Sequence, residues 1–437
     1  MRIKNKIIAN ASWIIVCKVI QSLLSLIVSM LTARYLGPSN FGLISYAASI
    51  TSFVAPIMYL GLNSVLVQEI INTPEEEGKI LGTSMFMSFI MAVLCIIGIT
   101  SFVAVVNAGE KETLVVCALY SCMLVFQAID LLQYWFQAKL KSKYTSIVML
   151  IAYVAVSAYK IFLLATGKNI FWFALSNALD YCIIAILLLM IYKKIGNHKL
   201  QISLGLVRRL LSKSKYYIVS NLMVMVFAQT DKVMLKIMMD DSATGFYSVA
   251  VACATLSSFV FSAVVDSVRP SIFQSVKYSK ELFEKNVIQL YGIVIYLSLL
   301  QSIFMTLLAK PLILVLYGNQ YLLAAEILRV VVWYTTFSYL GTVRGVWMLA
   351  TNNQKYLLTI NISGAILNVV LNYFLIPLKG VMGAAIASVL TQFFTNVIMG
   401  YIVKDIRENN KLMMLSLHPR TIVNIVKRVV IGEYSGR

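Results

Sequence analysis

Twelve apolar stretches follow one another along almost the whole chain, at 7–31, 41–66, 80–106, 113–137, 145–166, 170–192, 216–239, 244–268, 286–309, 327–350, 356–376 and 380–403. Each can cross the roughly 30 Å of bilayer hydrocarbon as a helix. Hydrophobic residues make up 60% of the 437 and charged ones 13%, against about 25% charged in soluble domains. The segments between the stretches leave no room for a soluble domain. The expected fold is therefore an all-α integral membrane protein of about twelve transmembrane helices. The basic start, Met1–Lys6, precedes an apolar run too long for a signal peptide, so we expect that run to remain as the first span.

Charge orients the spans. The formal net charge is +19, which in a soluble protein would suggest nucleic acid. With both ends cytoplasmic, the inside segments hold 26 Lys and Arg and the outside loops five: Arg34, Lys111, Lys168, Lys310 and Lys379. That asymmetry follows the positive-inside rule, so a nucleic-acid partner is not expected. Glu75, Glu76 and Glu77 sit awkwardly on the inside, although acidic residues weigh little in this rule. The six cysteines all fall within spans at no metal-ligand spacing and read as small core hydrophobes. No metal or cofactor is expected.

The two halves echo each other. Gly42-Leu43-Ile44-Ser45-Tyr46-Ala47 matches Gly245-Phe246-Tyr247-Ser248-Val249-Ala250. Trp135, Ala138, Lys143 and Tyr144 match Trp347, Ala350, Lys355 and Tyr356 at one constant offset. A shared register suggests a duplication. Six spans per half gives both halves one orientation, hence two six-helix bundles related by a pseudo-two-fold axis along the membrane normal. The expected domains are an N-terminal bundle at 1–195, a cytoplasmic linker at 196–215, a C-terminal bundle at 216–403 and a basic tail at 404–437. The tail holds one apolar patch, Ile422–Ile431, suited either to lying on the inner surface or to disorder.

Polar side chains inside the spans mark the candidate site. Lys18 lies mid-span and shares a helical face with Ser22, Ser25, Ser29 and Thr32. A charge at that depth costs about 2.5–3.5 kcal/mol on insertion scales, so it rarely faces lipid. The second span carries Ser45, Ser49, Ser52, Tyr59 and Asn63 on one face, with Pro56 expected to kink it. The seventh carries Asn221, Asp231, Lys232 and Lys236, and the eighth Ser248, Thr255, Ser258 and Ser262. Equivalent spans in the two halves then line one wet, cationic cavity fit for an anion. Lys236 and Arg329, near span ends, are expected to snorkel to the interface.

Four segments resemble a known family. Ala33-Arg34-Tyr35-Leu36-Gly37-Pro38-Ser39-Asn40-Phe41-Gly42 is similar to the family's turn after its first helix. Gln229-Thr230-Asp231-Lys232 resembles its seventh-helix motif, and Leu316-Tyr317-Gly318 with Ala324-Ala325-Glu326 the segment before its tenth. Asn368-Val369-Val370-Leu371-Asn372, Ile376-Pro377 and Gly383-Ala384-Ala385 resemble its eleventh-to-twelfth signature. The chain is thereby identified with O-antigen flippases of the Wzx type, in the polysaccharide-exporter branch of the multidrug/oligosaccharidyl-lipid/polysaccharide superfamily.

The resemblance implies export of undecaprenyl-pyrophosphate-linked oligosaccharide across the bacterial inner membrane by alternating access. It also implies polysaccharide polymerase and chain-length regulator proteins as partners. Lipid II flippases of the superfamily have two further helices, so lipid II is not the expected substrate. On this footing Lys18 and Lys232 are the expected pyrophosphate ligands, with Arg344 and Lys160 beside them. Ser22, Ser25, Ser29, Ser52, Tyr59, Asn63, Asn221, Thr255 and Ser258 are expected to line the cavity, and Asp231 to couple transport to an ion gradient. Asn368 and Asn372, one turn apart, suit either sugar hydroxyls or helix–helix contact. Two other functions remain to compare. A membrane polymerase would need a sizeable outside loop and a nucleophile, which are not seen. A multidrug exporter of the same superfamily would favour carboxylates over lysines.

Overall fold

The first helix runs Arg2–Met58 and is broken at Gly37, whose φ of 73° and ψ of 174° lie outside the helical region. The break divides it into two lengths, 2–36 and 38–58, joined through Pro38, which accounts for the first two spans. The computed structural model describes residues 2–196 and 198–417, with side chains from Cys17 onward. Lys4 and Lys6, as side chains, and His418 and the Ile422–Ile431 patch lie outside the described residues.

Everything described is helix or connection, with no strand among the described residues. Nine described helices are long and apolar enough to cross a bilayer. Asp241–Ala254 with Ser258–Tyr278, bent by 41°, makes ten. Dividing the first helix at Gly37 and adding Leu322–Ala350 accounts for about twelve. The protein is a multi-pass, all-α membrane protein.

Several spans are less regular than their hydropathy suggests. The second stops at Met58, two residues past Pro56, and turns through Leu60 and Gly61, both left-handed at φ 52° and 66°. A Cβ at Gly61 would lie 2.6 Å from the Ser214 carbonyl oxygen, so glycine serves both the turn and the packing. The expected helix to residue 66 is thus cut short. The fourth span, Lys111–Ala138, has local irregularities at Cys122 and Leu131, where the backbone nonetheless stays in the right-handed helical region. The twelfth passes through a π-helix at Phe394–Ile398.

Packing groups residues 1–245 into one unit and 246–437 into another. The first unit therefore contains the seventh helix, Leu204–Met238, packed along the first and third. Contacts divide the chain after the seventh helix, whereas the boundary expected from sequence register lies before it, at 196–215. The equivalent tryptophans take equivalent roles. Trp135 is buried in the first unit with Phe136, Leu188 and Tyr192. Trp347 is buried in the second with Tyr291, Val343 and Met399. The matched glycines sit against the same crossing. A Cβ on Gly42 would come 1.8 Å from the Asp241 carbonyl oxygen, and one on Gly245 2.0 Å from that of Pro38. Only glycine lets these backbones touch. All six cysteines are free, four buried and Cys122 and Cys182 half-buried.

The seventh helix is tied at its start by charge. Arg209 reaches Glu69 at 2.9 Å and Glu76 at 2.9 Å, and Lys213 also pairs with Glu69. Lys139 pairs with Glu77 at 2.8 Å. The acidic run that looked awkward by charge count thus neutralises basic residues of the same end. Burial pushes the Glu69 carboxyl up, but the Lys213 and Arg209 contacts outweigh it and hold the group below the usual range. A depressed carboxyl stabilises the fold above its unfolded pKa and stops doing so as pH falls through its folded one. Comparing melting of the protein and its Glu69→Gln variant should give a constant gap from pH 6 to 8. The gap should shrink only below roughly pH 4.3; a gap that closed near neutrality would contradict the pairing.

Candidate functional site

The first unit encloses a cavity of about 310 Å³. The first helix contributes Ser25, Ser29 and Thr32, which are three members of the polar face read from the sequence. The second span contributes Phe41, Ile44, Ser45 and Ala48; the fifth, Tyr153, Ser157 and Lys160; the sixth, Asn177 and Asp180. Helical spacing explains the set, since residues three and four apart stand over one another. Lys160 and Asp180 face each other electrostatically, and Tyr153 hydrogen-bonds Ser25. The cavity offers one ammonium, one carboxylate and several hydroxyls among apolar side chains such as Val28, Val156 and Phe173.

A second polar line joins the second and seventh spans. The Ser49 hydroxyl lies 2.8 Å from the Ser45 carbonyl of its own helix and 3.1 Å from Gln229 Oε1, and Lys232 Nζ donates to the same amide oxygen at 3.3 Å. The seventh-helix motif is thereby fixed to the serine face of the second span. Lys232 is half-buried, and Asp231, next to it, is buried. Asn221, about three turns earlier, is half-buried.

Other expected residues are placed differently. Lys18 and Ser22 are exposed, beyond the cavity lining that the rest of their face supplies. Arg344 is buried in the second unit and donates to the Thr395 carbonyl at 2.6 Å and to Asn396 Oδ1 at 2.8 Å. Its guanidinium thus serves the π-helix of the twelfth span, where the widened turn leaves carbonyls to satisfy. Ser52 and Thr255 turn their hydroxyls back onto Ala48 and Val251 of their own helices. Ser258 is exposed, beside the bend of the eighth span. Asn372 donates to Asn368 at 3.1 Å, both fully buried. Tyr59 and Asn63 lie in the irregular turn after the second span, not on its helical face.

Lys236 corrects the sequence reading most clearly. It is buried, with Glu110 at 2.6 Å and Asp241 at 3.0 Å, and does not snorkel. Thr113 donates to Glu110 at 2.6 Å, and the Tyr46 hydroxyl donates to Asn107 beside it. Glu110 stands 126 residues from Lys236, so no local pattern announces the pairing. Arg329, by contrast, is half exposed and pairs with Glu326 one turn away.

The family described as "Polysaccharide biosynthesis protein" matches residues 7–276. The chain belongs to that family. A protein of Escherichia coli (strain K12), named as a proposed O-antigen transporter, is 22% identical over 402 residues, covering 90% of this chain and 94% of that one. Lipid II flippase MurJ, in an inward closed conformation, has a similar structure at 14% identity and TM-score 0.74, over 97% of this chain and 93% of its own. An inward-facing multidrug resistance MATE family transporter of the MOP superfamily follows at 13% identity and TM-score 0.67, over 91% and 96%. The fold is that of MOP-superfamily transporters, and the relatives are transporters and flippases, not enzymes.

The Lys236 cluster yields a direct measurement. Glu110→Gln removes one of two carboxylates from a buried ammonium and should cost about 1–3 kcal/mol, the lower part being favoured because Glu110 is 45% exposed. Replacing all three charges together, with Lys236→Met, Glu110→Gln and Asp241→Asn, should recover most of the lost melting temperature. An unchanged melting temperature in Glu110→Gln would show that the pair is idle.

Proposed function

We propose that this protein is a flippase for O-antigen or related polysaccharide units linked to undecaprenyl pyrophosphate. It moves them from the cytoplasmic to the periplasmic leaflet of the bacterial inner membrane by alternating access, with both termini cytoplasmic. Family membership across residues 7–276 supports the polysaccharide side of this reading. The observation that carries it is the placing of lysines among hydroxyls inside apolar helices: Lys160 in the cavity and Lys232 on the Ser49–Gln229 line.

The chemistry follows from the solvent. A pyrophosphate and its sugars are heavily penalised for leaving water. Ammonium groups beside hydroxyls replace part of that hydration and leave the site neutral once the anion is bound. Lys18 and Lys232 are the proposed pyrophosphate ligands. Lys160 would act from the cavity, and Arg344 would contribute only if its contacts to the π-helix rearranged. Ser25 and Ser29 meet sugar or water, and Asn221 extends the polar face of the seventh span. Asp231 is the proposed coupling carboxylate: an inward-driven ion gains about 2.3 kcal/mol per 100 mV. A polysaccharide polymerase and a chain-length regulator would receive the delivered unit.

Complementation of a flippase-null strain, scored as surface polysaccharide at equal protein level, tests the reading. Lys232→Ala and Lys18→Ala should each cut surface polysaccharide by about tenfold, the equivalent of one lost charge-assisted contact. Asp231→Asn should lower transport at unchanged protein level. Full complementation by both alanine variants would remove the anion site from the mechanism.

A further inference from the structure

The seventh helix is longer than a bilayer needs. Its 35 residues, Leu204–Met238, extend about 52 Å, against roughly 30 Å of hydrocarbon. The span expected from hydropathy begins at 216, where Tyr216 and Tyr217 stand exposed, as tyrosines do at a membrane interface. Residues 204–215 therefore leave the hydrocarbon and pass through the headgroup layer.

This projecting part has two faces. On one, Leu206, Leu210 and Ser214 are buried, and Arg209 and Lys213 beside them are matched by Glu69 and Glu76. The other is a stripe at helical spacing, in which Leu204, Val207, Arg208, Leu211, Ser212 and Lys215 border a shallow open groove of about 640 Å³. Leu204 is 76% exposed, and Arg208, Ser212 and Lys215 are exposed with it.

The cations of the stripe differ from those beside them. Arg209 and Lys213 are neutralised within the fold, whereas among the described residues Arg208 and Lys215 form no ion pair. Lys215 Nζ lies 5.0 Å from the centre of the Tyr216 ring, which holds the ammonium level with the exposed tyrosines. Arg208 and Lys215 stand about 10 Å apart along the helix axis, with Ser212 between them. Unmatched cations among exposed apolar side chains, at the depth of the headgroups, fit an anionic membrane surface.

We propose that this stripe is a docking site for an acidic phospholipid of the cytoplasmic leaflet. The lipid phosphate sits between Arg208 and Lys215, beside the Ser212 hydroxyl. The acyl chains follow Tyr216 and Val219, both exposed, into the hydrocarbon. A phosphate there neutralises charge that the fold leaves unmatched. A zwitterionic headgroup would bring its own cation to the same place, so the site prefers a lipid with net negative charge. That this end of the helix faces the cytoplasm rests on the topology proposed above; the lipid contact itself does not.

The test uses the full-length protein in detergent, titrated with phosphatidylglycerol or phosphatidylcholine and followed by native mass spectrometry. We expect phosphatidylglycerol to be retained at about tenfold lower concentration than phosphatidylcholine. Arg208→Gln combined with Lys215→Gln should raise half-saturation by phosphatidylglycerol about tenfold. Lys193→Gln combined with Lys194→Gln, which removes the same charge from another exposed pair, should leave it unchanged. Equal retention of the two lipids overturns the proposal, as does equal weakening by the two double variants. Competition by sn-glycerol 3-phosphate at the concentration of the lipid would mark a site for free anions. A dimer that the Arg208 and Lys215 variant dissolves would mark a protein interface. Either result overturns the lipid site. Because the readout is made in detergent, a lost lipid preference leaves the complementation result untouched, and failed complementation leaves the lipid preference untouched.

Discussion

Lys236, near the end of the seventh helix, is buried in the first unit and meets two carboxylates there, Glu110 from a connecting loop and Asp241 from the start of the next helix. At the other end of the same helix Arg209 and Lys213 meet Glu69 and Glu76. Between these anchors the helix has little apolar commitment of its own: its mean hydropathy is the lowest of the nine candidate spans. Ion pairs tie its two ends to Glu69 and Glu76 and to Glu110 and Asp241, while its length packs along the first and third helices. The motif in between, Gln229 to Lys232, is held where Ser49 can reach it.

The same demand runs through the interior. In hydrocarbon a polar group without a partner is expensive, so each must be matched or wetted. Serines and threonines are matched cheaply, by bonding back to their own helix, as Ser52 and Thr255 do. Arg344 donates to one backbone carbonyl and one side-chain amide oxygen of a widened turn. Ser25, Ser29 and Lys160 are left to a cavity. The polar residues thus sort into those that hold helices in shape and those that remain available to something passing through.

Much of this was legible in the residues. Spans were readable because hydropathy acts over twenty residues at a time, and the Ser25–Ser29–Thr32 face because helical spacing is local. The duplication showed itself through Gly42 and Gly245, whose missing side chains are required at one crossing. Contacts distant in sequence were not legible. Nothing near Lys236 points to Glu110, and nothing near Arg344 points to a π-helix fifty residues on. Spacing also placed Tyr59 and Asn63 on a helical face, while Pro56 and Gly61 set the real end of that helix.

The six cysteines have a practical side. Four are buried and two half-covered, all within packed helices. Bulky, charged thiol reagents would therefore find little to label on the native protein. A single cysteine introduced at a chosen site would report its own exposure against a quiet background, with no need to strip the natural thiols first. The molecule is in that sense already prepared for asking, one position at a time, which of its surfaces sees water and when.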